Sequence, residues 1–352
     1  MMGEPNQTNS TMNCLLCPNT KTPKMNTTQM PEIKSYTAGS FTRLVSFENS
    51  NSWIKRHDDE GTLLIQAGYR ENPNANTHKD DENPIVIVSG SRPRWYGEMA
   101  CQGAHTKLHG RNKVETAREA FTATLRATDD GRDLIVIASH WDKPALEALK
   151  TALTGQYKVT RNGIDIQCTV TQVLPILEGM GSYEAVKDRL QPGSTLLIEL
   201  GFGTSEQWVI DSKGRIISGA TVDEFGLNRL CQSIANDPAV RGLCSDNSGT
   251  VNPSLISQAL REESIGRIKP DTWKAIKANY GGEFLRSLDG YMRTQFADQR
   301  QSISNIVLTG GGASFLQSIQ PKVSQAFIIP DGPQTASVRG AYEAQLAKVG
   351  AQ

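Results

Sequence analysis

Residues 305–316 read NIVLTGGGASFL. Ile306–Thr309 is a short apolar run of the kind that forms a buried strand, three glycines follow at once, and a helix is expected directly after them. Glycine is needed where a backbone turns through positive φ or approaches another group closely, and the amides exposed by such a turn can hold an oxyanion. The stretch is therefore a tight strand-to-helix turn or a phosphate grip, with Gly310, Gly311, Gly312 and Ala313 as the candidate contacts.

Two other glycine turns precede it. Residues 199–204 (ELGFGT) end the apolar run Leu196–Leu200 and combine a carboxylate, two glycines and a hydroxyl before an alternating strand, Gln207–Asp211. This is a glycine-rich hairpin or a phosphate grip made by Gly201, Phe202, Gly203 and Thr204. Near the start, residues 37–43 (TAGSFTR) form a turn between predicted strands, with Gly39, Ser40, Phe41, Thr42 and Arg43 as the equivalent candidates. The chain has neither a Walker A sequence nor a G-x-G-x-x-G fingerprint, which takes most of the weight from the P-loop and Rossmann readings.

Around these turns the pattern alternates strands and helices. Ile33–Phe47 and Thr62–Tyr69 read as half-buried strands flanking a polar turn near His57–Gly61, and Leu134–Ala138 (LIVIA) as a buried parallel strand. Asp142 and Pro144 open a helix that Gly155 closes, and Asn162-Gly163 joins a hairpin across Tyr157–Val173. Residues 223–300 are mostly helical and polar, and Ser337–Lys348 is a terminal helix.

The 352 residues suggest two domains, and 37 basic against 37 acidic side chains give a formal net charge of zero. That balance argues against direct nucleic-acid binding or a polybasic membrane surface, and it suits self-association. No run reaches the ~18 apolar residues of a membrane span. Residues 1–30, rich in Asn, Thr, Pro and Met without periodicity, are expected to be a disordered leader. Cys14 and Cys17 form a C-x-x-C with no second pair at zinc-ribbon spacing, and the scattered cysteines suit a reducing cytoplasm. His105 and His109 have the spacing of a zinc helix but lack its glutamate.

The order of the three turns, strand–turn–strand twice and then strand–GGG–helix, resembles the actin/Hsp70/hexokinase superfamily and, within it, the ParM/StbA-type plasmid-segregation actins. Residues 305–316 resemble the adenosine motif of that family, 330–342 (PDGPQTASVRGAY) its closing DPxxAxxRGxY segment, and 95–100 (WYGEMA) its yyVGexA stretch, a likeness spanning residues 32–348. It implies an α/β, actin-like (ribonuclease H-like) two-domain fold with the nucleotide cleft between the domains. Domain I would be 31–175, domain II 176–334, and 335–352 a C-terminal helix returning to domain I. Residues 173–182 (VLPILEGMGS) resemble the first inter-domain connection, which makes Glu178 the residue that orients or activates the attacking water. Gly226 and Asn228 resemble the second connection, which bounds the nucleotide.

The likeness also assigns Glu199 a catalytic role and a Mg²⁺ ion held through water. It departs from the family at three positions: Thr37 stands where the family has a metal-site Asp, Leu44 where it has a basic residue with Arg43 one earlier, and Glu199 where it has a shorter Asp. Placement governs phosphoryl transfer, so these departures imply nucleotide binding with slow hydrolysis. The resemblance thus implies a cytoplasmic ATPase that binds ATP (or GTP) and Mg²⁺, polymerises with itself, and moves plasmid DNA through a DNA-binding adaptor, with no membrane partner. The alternatives are a nucleotide-binding scaffold that barely hydrolyses and a metabolite kinase of the same fold.

Overall fold

The computed structural model describes residues 42–102, 105–108, 112–245, 249–319 and 327–350. Two sheets organise it. The first begins with β1 (Thr42–Asn49), β2 (Trp53–Asp58) and β3 (Gly61–Gln66), an antiparallel meander. It continues with β4 (Gly68–Glu71), β5 (Ile85–Val88), β6 (Arg94–Tyr96), the short helix α1 (Glu98–Cys101) and β7 (Thr106–Lys107). Then α2 (Lys113–Thr124), β8 (Asp133–His140), α3 (Lys143–Leu153), β9 (Gly155–Arg161) and β10 (Ile164–Leu177) complete it. The strand order is β3-β2-β1-β8-β10-β9-β5-β6-β4-β7, with β8 parallel to both β1 and β10.

After α4 (Met180–Glu184) the second sheet repeats this plan with β11 (Ser194–Leu200), β12 (Ser205–Ile210) and β13 (Ile216–Val222) as an antiparallel meander. Helices α5 (Leu227–Ala235), α6 (Pro238–Cys244), α7 (Pro253–Ala259) and α8 (Pro270–Gln295) lead to β14 (Ile303–Thr309), which returns parallel to β11. Next come α9 (Gly311–Ile319) and the C-terminal α10 (Ala336–Gly350). The order β13-β12-β11-β14 matches β3-β2-β1-β8, and a parallel bridge from Val307 to Ile328 stands where β10 stands in the first sheet. One topology is used twice.

The sequence explains these elements. In β8, LIVIA is buried on both faces because parallel strands flank it and helices cover it. Successive side chains point oppositely. Leu134, Val136 and Ala138 enter the core of the first half, while Ile135 and Ile137 enter a separate core. Leu196 and Ile198 of β11 likewise face the core of the second half, and Leu197 faces the shared one. That shared core joins both sheets through Met180 and Tyr183 of α4 and Ala341 and Tyr342 of α10. Helix α3 starts on Asp142, whose side chain accepts from the Ala145 amide at 3.2 Å, and α2 starts on Asn112, which accepts from the Val114 amide at 2.9 Å.

The helices α4 and α10 touch through glycines. A Cβ on Gly181 would lie 1.8 Å from the Ser337 carbonyl oxygen, and one on Gly340 would lie 2.1 Å from the Gly181 carbonyl oxygen. The helix backbones therefore meet directly where the two halves join. Among the described residues, no helix is long and apolar enough to cross a membrane.

Candidate functional site

The site lies where the first hairpins of the two halves face each other. In the first half, β1 and β2 are joined by Ser50, Asn51 and Ser52, and the Ser50 amide and hydroxyl both donate to the Trp53 carbonyl, at 3.0 and 2.7 Å. Glu48 on β1 pairs in register with Lys55 on β2, and the Lys55 ammonium donates to Glu48 Oε1 at 2.5 Å with both side chains buried. The other carboxylate oxygen accepts from the Ser337 hydroxyl, at the start of α10, also at 2.5 Å.

In the second half, β11 and β12 are joined by the Gly201–Thr204 turn, closed by the Gly201 amide on the Thr204 carbonyl at 2.9 Å. Glu199 pairs in register with Glu206, whose Oε1 accepts from the Thr204 hydroxyl at 2.7 Å. The amides of Leu227 and Asn228 donate to the carbonyls of Gly201 and Phe202, at 3.0 and 2.8 Å, so the start of α5 supports this turn. The two hairpins approach closely enough that a Cβ on Gly203 would lie 2.9 Å from Asn51 Nδ2.

Glu178 follows β10 directly, and its amide donates to the His140 carbonyl at 3.1 Å. One carboxylate oxygen from each of Glu48, Glu178 and Glu199 lies within 4.8 Å of the others, and all three residues are buried. Lys113, the first residue of α2, brings its ammonium to 3.6 Å from Glu178 Oε1. The cluster therefore holds four carboxylates, counting Glu206, against the ammonium groups of Lys55 and Lys113. When all are ionised it carries two negative charges in excess.

Burial first, and then that excess, govern the protonation of the site. Burial works against the Glu48 carboxylate, but Lys55 and Ser337 hold it below the usual range. Burial and then Glu48 push Glu199 well above it. Burial and then Glu178 push Glu206 up to about 7. Burial alone would discharge Lys55 and Lys113, yet Glu48 beside the first and Glu178 beside the second raise both above the ordinary lysine value. Glu199 Oε2 is buried and has no hydrogen-bond partner among the described residues.

A cavity of about 650 Å³ opens on this cluster, lined by Asn51, Lys113, Trp141, Thr204, Glu206 and Thr221 among others. On the other side of the second hairpin, the 310–312 turn passes against the end of β11. Gly310 has φ +87°, and a Cβ there would lie 2.5 Å from the Leu200 carbonyl oxygen, so only glycine fits. Its amide donates to the Pro333 carbonyl at 3.0 Å.

No protein-family profile and no curated protein matches this sequence. Solved structures do match in fold. The archaeal actin homolog Ta0583 aligns with a TM-score of 0.67 at 15% identity, over 87% of this chain and 99% of that one. The fold is actin-like. A 15-stranded ParM filament from Clostridium botulinum aligns with a TM-score of 0.66 at 13% identity, over 87% of this chain and 99% of that one. Bacillus thuringiensis ParM with ATP gives 0.62 at 17% identity, over 88% and 99%. These identities carry the fold.

Within this actin-like frame the residues singled out in the sequence fall into three groups. Glu178, Glu199 and the turn of Gly201, Phe202, Gly203 and Thr204 gather at the cleft, with Gly226 and Asn228 behind that turn and Gly310, Gly311, Gly312 and Ala313 beside it. Thr37, Gly39, Ser40 and Phe41 lie outside the described residues, as do His109 and the Cys14/Cys17 pair.

Thr42 and Arg43 require a correction. They are the first residues of β1, a strand rather than a turn, at the end opposite Glu48. Arg43 is spent there in a buried ion network, donating to Asp59 at 2.7 Å, Asp129 at 2.9 Å and Glu60 at 2.6 Å. Arg56, fully buried, binds Asp58 and Asp129 in the same network. The residues missed in the sequence are Glu48, Asn51, Lys55, Lys113 and Glu206. The available signal was opposite charges seven positions apart, Glu48 and Lys55, flanking the polar turn of Ser50, Asn51 and Ser52.

Proposed function

We propose that this chain binds ATP (or GTP) with Mg²⁺ between its two halves, assembles with itself into filaments, and hydrolyses the nucleotide slowly. The supporting observation is the buried Glu48–Glu178–Glu199 cluster, which together with Glu206 carries two excess negative charges when ionised, and its unpartnered Glu199 oxygen, at the meeting of two hairpins. Such a donor set, all oxygen and doubly negative, fits a hard divalent cation. Glu48, Glu178 and Glu199 would hold Mg²⁺, with Glu48 taking the part first assigned to Thr37. Bound Mg²⁺ supplies charge neutralisation on the phosphate oxygens.

The chain's own groups do the rest. The turn amides of Asn51, Ser52 and Thr204 and the Ser52 hydroxyl bind phosphates, as backbone turns between strands can. Gly310, Gly311 and Gly312 let the chain close against the nucleoside. Glu178 orients the attacking water. Each of the three carboxylates carries one methylene more than an aspartate, which favours slow turnover. The division into residues 31–175, 176–334 and 335–352 is proposed to follow the two sheets and α10. The similarity to the ParM filament and to ParM with ATP supports self-assembly and nucleotide use in this chain. It also motivates plasmid segregation through a DNA-binding adaptor in the cytoplasm. A scaffold that binds without hydrolysing is favoured by those same three glutamates.

Thermal melts with Mg²⁺ and ATP, ADP or GTP test binding: a nucleotide at 100 times its Kd adds about 2.7 kcal/mol of stability. Light scattering and electron microscopy test assembly. No stabilisation by any nucleotide would refute the binding site, and a protein that stays monomeric with saturating Mg·ATP would refute filament formation.

A further inference from the structure

We propose that Lys113 is the terminal-phosphate contact of this chain, the group that distinguishes a nucleoside triphosphate from a diphosphate; this rests on the nucleotide-binding reading above. Lys113 is the first residue of α2, where the helix dipole disfavours a cation. Its position is explained by the cleft, not by the helix. It is the only lysine or arginine among the described residues lining the 650 Å³ cavity, whose remaining charged lining groups include the acids Glu206, Asp142 and Asp223. An anion entering that space meets one side-chain cation.

The two lysines of the cluster differ in how they are held. Lys55 is locked onto Glu48 at 2.5 Å with both side chains buried. Lys113 lies 3.6 Å from Glu178, longer than a hydrogen bond, with 20% of its side chain exposed toward the cavity. It is attracted to Glu178 without being fixed to it. A terminal phosphate carries more charge than one carboxylate and offers three acceptor oxygens. The ammonium accordingly leaves Glu178 for a phosphate oxygen, and the freed carboxylate can then accept from a water. A diphosphate lacks that group, and Lys113 stays on Glu178. One side chain thus reads the third phosphate and releases Glu178 only when it is present.

The test is the affinity of the full chain for Mg·ATP and Mg·ADP, measured by calorimetry in the wild type, Lys113→Met, Lys113→Arg and the double variant Lys113→Met/Glu178→Gln. Loss of one charge-assisted hydrogen bond weakens ATP by about 10- to 100-fold. ADP binding is expected to be unchanged, and Lys113→Arg to keep most of the ATP preference. The double variant leaves no unpaired charge at position 178, and because both nucleotides carry Mg²⁺, its ATP-to-ADP affinity ratio separates phosphate contact from a folding or metal-binding defect. An ATP-to-ADP affinity ratio equal in the wild type, Lys113→Met and the double variant would overturn the inference. A wild type that binds neither nucleotide would instead overturn the nucleotide-binding reading itself.

Discussion

Replacing Glu206 with glutamine should make the protein more stable at alkaline pH and remove a pH slope from its stability. The Glu206 carboxyl is buried on β12 and raised from 4.5 to about 7 by burial and by Glu178. A raised acid means that the native state keeps a proton which the unfolded chain has already released. Its contribution is therefore fully favourable below pH 4.5, is lost as pH rises from 4.5 to about 7, and is constant above that. At 1.36 kcal/mol per pH unit, this loss amounts to about 3 kcal/mol. The Thr204 hydroxyl bond at 2.7 Å survives in the amide, whose oxygen still accepts. The assay is thermal unfolding of both proteins from pH 5 to 8.5, without nucleotide and in EDTA. The Glu206→Gln variant should gain about 4 °C on the wild type across that range, with an unfolding entropy of about 2.1 cal/mol/K for each of the 352 residues. Glu206 also helps to raise Glu199, so removing it eases that acid too, and the difference between the two curves reports the coupled pair. Parallel curves would refute the claim that Glu206 ionises at a cost in the folded protein.

Other outcomes follow from the same geometry. Gly181→Ala, whose Cβ would sit 1.8 Å from the Ser337 oxygen, should cost at least about 3 kcal/mol in a urea melt. Gly290→Ala, exposed in α8 with nothing within 4 Å of its Cβ, should instead gain about 1 kcal/mol. Lys55→Met strands Glu48 in the interior and should cost about 3–5 kcal/mol, with partial recovery in the Glu48→Gln/Lys55→Met pair. Glu199→Gln should raise the melting temperature of the metal-free protein at pH 8 and abolish the stabilisation by Mn²⁺ expected of the wild type.

The parts of this fold that were legible in the sequence are those whose signal is local. The LIVIA run of β8 and the LLIEL run of β11 are apolar because both faces are covered, and periodicity detects that. The turn at 310–312 is legible because a close backbone approach to Leu200 admits only glycine. The first hairpin was illegible for the opposite reason. Its turn is Ser50, Asn51 and Ser52, without glycine, whereas the sequence offers a glycine turn at Gly39. Its strands also carry Glu48, Lys55, Arg56 and Asp58 inward, a pattern that reads as a polar turn. These charges can be buried because each has partners: Lys55 neutralises Glu48 across the hairpin while the Ser337 hydroxyl donates to it, and Asp129 neutralises Arg56. The Asp129 and Ser337 contacts exist only after folding, so no local window contains them. Lys113 was hidden likewise, as the first residue of an ordinary amphipathic helix whose role is set by Glu178, 65 positions further along.

The hydrogen bond from Ser337 to Glu48 also imposes an order on biosynthesis. The two residues are 289 positions apart, with the carboxylate made first. At 5–20 residues per second, the ribosome leaves Glu48 waiting about 15–60 s for its donor. Through that interval the first sheet can form around its own apolar core, but α4 lacks the helix it packs on and the pocket lacks one of its anchors. Helix α10 thus completes the cleft, and an emerging chain is kept from finishing its site until Ser337 has been made.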